Sequence, residues 1–206
     1  MEILNQLSSR KGDKTEDSNK IVAEQCIANL RLLAEIAAGL EENDKKLQAD
    51  CMEVFTVVAE KKPELIVPYA DDYVVPLLYS KETKTRWEAV HTLSYIAEKI
   101  PDVILSILPA LQSLIKKDKS TIVRDYAIDT IANYAKISVE TSEKAYELLK
   151  YALKLWGEKH AKRVFRGFNY VLNNCLNNKS EINLLVQPYL SASKKNVTTE
   201  AKKMLK

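Results

Sequence analysis

Glycine is scarce in this chain of 206 residues: Gly12, Gly39, Gly157 and Gly167 are all there is. A hairpin-rich β fold needs many turn residues of positive φ, so this scarcity argues against one. Glycine loops that cradle phosphate are excluded, because neither GxGxxG nor GxxxxGK(S/T) occurs. Cysteine is also scarce. Cys26, Cys51 and Cys175 are odd in number, widely spaced and free of any CxxC pattern, which excludes a disulfide framework. They read as small core residues in a reducing compartment, with the cytoplasm expected. His91 and His160 are the only histidines, no HExxH is present, and no cysteine stands near a histidine in sequence. Metal ligation, a bound cofactor and nucleophilic catalysis are therefore not expected. No apolar run approaches the 18 residues that a membrane-spanning helix requires. The first residues, MEILNQLSSRKGDK, carry charge on both sides of a very short apolar piece and lack the shape of a signal peptide.

What is present is ordinary globular composition, 46% hydrophobic and 29% charged, with a period built into it. Cys51, Ala89 and Ala127 stand 38 residues apart, and Gly167 follows after 40. Phe55, Leu93, Ile131 and Val171 keep the same step, as do Ala59, Ala97, Ala135 and Cys175. A small–large–small column recurring every ~40 residues with helical spacing means stacked helix pairs. The expected fold is all-α, an α-α superhelix (solenoid) of about five antiparallel pairs.

Residues 1–9 suit a short helix, and RKGDKTED at 10–17 suits a flexible segment, so 1–17 is set apart from a single repeat domain over 18–206. Ile21, Ile27, Leu30, Leu33, Ala37 and Leu40 predict one long helix from Ser18. The next helix spans 46–61. A further helix over 63–79 should be bent or split by Pro68 and Pro76, which remove backbone donors and clash with the preceding turn. Helices follow at 84–99, at 101–117 with a kink at Pro109, and at 121–136 capped by Ser120. Ser138 caps 139–156, which Gly157 ends. The last helices are expected at 160–176, at 181–191 with Ser180 as cap, and at 197–206.

Residues 107–136, ILPALQSLIKKDKSTIVRDYAIDTIANYAK, place Pro109 early in a first helix and Asp118 in the turn. Val123–Arg124 then open the second helix, with Ala127 and Ile131 after them. Pro68, Thr85–Arg86, Ala89 and Leu93 repeat much of this one unit earlier. In this the chain resembles HEAT-repeat proteins over about 46–176. Residues 46–61 depart from the pattern with Gln48 at the arginine column, and the fourth unit has Val164 there with Arg163 beside it. The resemblance implies a right-handed solenoid whose second helices line a concave side. It also implies that Asp118 and Arg124 tie adjacent turns together, although Ser80 stands at the aspartate column of the preceding unit.

Around each second helix from its core columns lies an outward pair four residues apart, hence on one face. These pairs are Glu53 and Val57, His91 and Tyr95, Asp129 and Asn133, and Asn169 and Asn173, with Arg166 near the last. Polar, aromatic and arginine groups in a stripe suit contact with a protein or peptide partner. The same stripe is also what the wet side of packed helices shows. Trp156 is expected to plug the next helix pair, and Trp87 to be partly exposed and able to stack on a ligand.

Charge is unevenly spread: residues 1–100 hold 13 Lys+Arg against 18 Asp+Glu, and 101–206 hold 18 against 10. The basic cluster KHAKRVFR, 159–166, has Phe165, Phe168 and Tyr170 interleaved, a mixture that could hold phosphates and stack bases. Two functions stay open. One is a non-catalytic scaffold that presents its concave stripe (Glu53, His91, Tyr95, Asp129, Asn133, Arg166, Asn169 and Asn173) to a protein or peptide. The alternative is a nucleic-acid-binding or DNA-repair protein, similar to HEAT-like alkylpurine glycosylases, using the basic C-terminal half. The sequence does not set the oligomeric state.

Overall fold

A computed structural model describes residues 2–206 and divides into two compact units, Met1–Val103 and Ile104–Lys206. Among the described residues there is helix and turn but no strand.

The N-terminal unit holds α1 (Ser8–Lys11), α2 (Asp17–Ala28), α3 (Leu30–Gly39), α4 (Lys45–Lys61) and α5 (Thr83–Ile96). Residues 3–8 pack: Ile3, Leu4 and Leu7 are buried, and the Ser8 amide donates to Asn19 Oδ1 at 2.9 Å. The single helix expected from Ser18 to Leu40 is two. Asn29 takes an extended conformation, φ −141° and ψ 99°, and its side chain accepts from the Arg31 amide at 3.2 Å. An asparagine that can cap competes with helix continuation at that point. Between α4 and α5, Pro63, Pro68 and Pro76 each open a separate short 3-10 turn, with a π turn over Ala70–Val74. The proline split expected from sequence is thus complete. Even so, Ile66, Ala70, Val74 and Leu78 keep a four-residue step and are buried, while Pro68 and Pro76 face solvent. Burial of that stripe sustains a rod that proline denies regular hydrogen bonding.

Helix α6 (Pro101–Lys117) runs unbroken through Pro109, which lies on its exposed side. The C-terminal unit continues with α7 (Thr121–Tyr134), α8 (Val139–Trp156), α9 (Ala161–Asn174), α10 (Lys179–Val186) and α11 (Lys195–Met204). Ser120 caps α7, accepting from the Val123 amide. Ser138 and Thr141 close a reciprocal capping box on α8, at 3.2 and 2.9 Å. Gly157 ends α8 at φ +52°, a conformation that favours glycine. Ser180 does not cap. Helix α10 starts one residue before it and gives way to a 3-10 turn at Gln187–Ser191, where Pro188 lacks the donor to continue.

The repeat columns are the core. Cys51, Phe55, Ala59, Ala89, Leu93, Ala97, Ala127, Ile131, Ala135 and Val171 are all buried, whereas Cys175, read from sequence as a core residue, is partly exposed. The reason for small residues is direct at α9. A Cβ on Gly167 would stand 2.7 Å from Leu149 Cδ1 and 3.1 Å from Ala132 Cβ. Gly39 is as tight, with Cys51 Sγ at 2.7 Å from the place of a Cβ. Neighbouring side chains therefore press directly on the backbone at these glycines, and the large column fills the space beside them. Within the N-terminal unit α4 packs on α5; within the C-terminal unit α7 packs on α9, and α9 on α11. Within each unit, second helices of successive pairs thus lie side by side.

Candidate functional site

Side-by-side second helices bring polar groups from adjacent repeats into contact, and in each unit these groups form a ladder. In the N-terminal unit Asn19 Nδ2 donates to Asp50 Oδ1 at 3.1 Å and to Glu53 Oε2 at 3.0 Å. The Lys84 ammonium, reached from α5, lies 2.9 Å from the same Glu53 oxygen and also pairs with Glu16. Burial raises the Glu53 carboxyl to about 7, against the opposing pull of Lys84 and Asn19. One turn on, Thr56 Oγ1 lies 2.7 Å from Glu88 Oε2 and 2.9 Å from Thr92 Oγ1, all of them buried. His91 and Tyr95 follow on α5, half-buried, with rings 4.9 Å apart and His91 Nε2 3.2 Å from the phenol oxygen.

In the C-terminal unit the Asp129 carboxylate, on α7, receives both Arg163 and Arg166 from α9. Its neighbour Asp125 accepts from Arg163 Nε at 3.1 Å and from His160 Nδ1 at 2.7 Å. Arg124 Nε donates to His160 Nε2 at 3.3 Å, so the ring carries its proton on Nδ1. The Arg124 guanidinium lies 4.0 Å over the Trp156 ring, whose indole N–H donates to the Ile115 carbonyl at 2.8 Å. Trp156 thus packs back against α6 and α7 of the preceding pair, where its place in sequence suggested that it plug the next one.

The two repeat arginines act alike, and not through an aspartate side chain. Arg86 Nη1 donates to the Ser80 carbonyl and Arg124 Nη1 to the Asp118 carbonyl, both at 2.7 Å. Each arginine closes the backbone of its own turn, which explains why Ser80 serves as well as Asp118. The Asp118 carboxylate is turned instead to the Ser120 amide, at 2.8 Å.

The residues named from sequence separate by exposure. Glu53 and Asp129 are buried and paired, so they stand beneath the surface as supports. His91, Tyr95 and Asn133 are half-buried. Asn169 and Asn173 are exposed on α9, and Arg166 keeps 46% of its side chain accessible. Beside them opens a cleft of about 330 Å³ lined by Lys162, Arg163, Arg166, Asn169 and Glu200. A second, of about 170 Å³, is bordered by Lys159, Lys162, Arg163 and Lys194. Lys162 and Arg163 belonged, from sequence, to the basic cluster 159–166 and not to the contact stripe. The signal was there: Asp125 and Asp129 on one second helix meet Arg163 and Arg166 one repeat later, opposite charges at one repeat step.

The base-stacking expectation for 159–170 meets a correction. Phe165 and Phe168 are buried in the core, and Tyr170 lies half-buried with the Lys136 ammonium 4.6 Å from its ring centre. Helical spacing turns the phenylalanines inward while the cations beside them face out. Trp87 is half-buried and its indole nitrogen is enclosed without a hydrogen-bond partner. Burial lifts the Cys26 thiol to about 12 and the Cys51 thiol well above the ordinary range, which leaves both unreactive. Among the described residues, no three His, Cys, Asp or Glu side chains are grouped to hold a metal ion, and no helix is long and apolar enough to cross a membrane.

No family model and no curated protein matches the chain. Solved structures do. A designed armadillo repeat protein superposes with a TM-score of 0.75 at 18% identity, over 99% of this chain and 97% of its own. Another, in complex with the peptide (KR)4, gives 0.74 at 18% identity over the same shares. An archaeal HEAT-like repeats protein from Thermococcus onnurineus NA1 gives 0.57 at 13% identity, over 91% of each chain. The fold is an all-α solenoid. Within that class its fold is that of HEAT/ARM-like repeat proteins, as the spacing of its small residues implied.

Proposed function

We propose that this protein is a non-catalytic scaffold that holds a protein or peptide partner against its second helices, on the concave side of the solenoid. The observation that carries this is the face of α9. Arg166, Asn169 and Asn173 stand exposed in one row beside a cleft, on a helix fixed from beneath by the buried Asp129. Contact groups held in place before binding lose little ordering entropy when a partner arrives. His91, Tyr95 and Asn133 extend the same column pattern and are included as contacts. The designed neighbours lend support: one is in complex with a peptide, and another is described as made for modular peptide recognition. The buried, free thiols of Cys26 and Cys51 suit a reducing compartment, and the cytoplasm is the proposed location.

Capture of partners from the native host tests the reading. The wild-type chain is compared with a variant carrying Tyr95→Ala, Asn133→Ala and Asn169→Ala. Loss of the recovered partners in the variant, with its helical content intact, is the expected result. Equal recovery by both chains would remove the proposed surface.

A further inference from the structure

Every carboxylate bordering the two clefts of α9 is already engaged, while two of the lysines beside them, Lys162 and Lys194, form no ion pair. Asp129 is taken by Arg163 and Arg166, and Asp125 by His160 and Arg163. Glu158 accepts the amides of Ser193 and Lys194 and the Ser193 hydroxyl, and Glu200 pairs with Lys203. Against these, the ammonium groups of Lys162 and Lys194 form no ion pair, Lys194 acting on Glu158 only at longer range, and both side chains are exposed. Arg166 gives Nη2 to Asp129 and keeps its other N–H groups for the cleft. Lys162 and Arg163 border both clefts, so the two openings form one basic surface between α9 and α11.

We propose that this α9–α11 surface binds acidic side chains of an extended peptide, with Lys162 at its centre and Arg166 beside it. The inference rests on the scaffold reading above and names its partner class. Charge complementarity selects the occupant. Residues 104–206 hold 18 Lys+Arg against 9 Asp+Glu, and the local acidic groups already have partners. The arginines are pre-aimed. Asp129, whose side chain is 7% exposed, holds two guanidiniums in fixed orientation, so an incoming carboxylate meets donors that need little ordering. A peptide is favoured over nucleic acid because no aromatic ring lines the 330 Å³ cleft, and Phe165 and Phe168 are buried where bases cannot reach them. A strongly basic peptide such as the (KR)4 bound by one designed neighbour would meet like charge here.

Fluorescence anisotropy of labelled probes on the full chain tests the proposal. The probes are an alternating Asp/Glu octapeptide, an alternating Lys/Arg octapeptide and an oligothymidylate of similar charge, each at low and at physiological salt. The acidic peptide should bind, weaken with added salt, and lose about tenfold or more in affinity to a Lys162→Glu, Lys194→Glu variant. That variant should keep the wild-type helical content by circular dichroism, since both lysines are exposed and in no ion pair. Three results would overturn the proposal: no acidic-peptide binding at low salt, equal binding by the variant, or tighter binding of oligothymidylate than of the acidic peptide. If the acidic peptide fails while host partners are still lost from the Tyr95, Asn133 and Asn169 variant, the acidic preference falls and the scaffold reading stands.

Discussion

Asn19, Asp50, Glu53 and Lys84 form one buried polar knot that joins three helices of the N-terminal unit. Buried polar groups of this kind are stable only when each has a partner, and here each does. Glu53 is the member that titrates. In the unfolded chain it has the ordinary value of 4.5, and burial raises the folded value to about 7. The folded state therefore binds the proton more tightly. This group's contribution to stability is full below pH ~4.5 and is lost as pH rises through ~7. Glu53→Gln keeps an acceptor for Asn19 and Lys84 without the titration. Thermal melts between pH 4.5 and 7.5 should show the wild type losing stability relative to the variant as pH rises. Parallel melting curves across that range would contradict the buried carboxyl. None of this was visible in sequence, where Glu53 read as an outward contact. A period of 38 residues locates a column but does not say what the neighbouring chain segment, here Asn19 of α2, lays over it.

Helix α9 shows most clearly how a local pattern becomes an element. Val164, Phe168 and Val171 face the core, Arg166, Asn169 and Asn173 face out, and Gly167 lies where two helices press closest. Gly167→Val tests that close approach. The added branch has no free volume against Leu149 and Ala132, and overpacking of this kind costs about 1–3 kcal/mol. Urea denaturation followed by circular dichroism should show a lower midpoint with unchanged slope; a midpoint at or above the wild type would mean the helices can part without cost. Helix boundaries were legible wherever a strong terminator stood, as at Pro101, Ser138 and Gly157. They were not legible at Asn29, because Ile27, Leu30 and Leu33 keep helical spacing across the break in sequence, although Leu30 and Ile21 prove exposed and a capping side chain marks the break.

At the scale of the whole molecule, a repeat fold draws its stability from each pair covering the next, so terminal pairs guard apolar faces behind them. In the C-terminal unit Ile182, Val186, Val197 and Ala201 are buried, and α11 packs on α9. Removing residues 179–206 should uncover the α9 side of that contact. The truncated chain is expected to melt at lower temperature and to bind the dye ANS, where the full chain does not. An unchanged melt without dye binding would show that α10 and α11 are appendages and not a cap.

The all-α solenoid was determined by the sequence alone, because a small–large–small column repeated at helical spacing has one economical burial, the stacked pair. The helix termini at strong caps and prolines followed from backbone chemistry that acts over a few residues. Which exposed groups were free and which were already engaged was decided only by tertiary structure. Asp129 and Arg166 look equally available on a helical wheel. One is buried as a support and the other is presented to solvent, because α7 and α9 lie side by side and place opposite charges within reach.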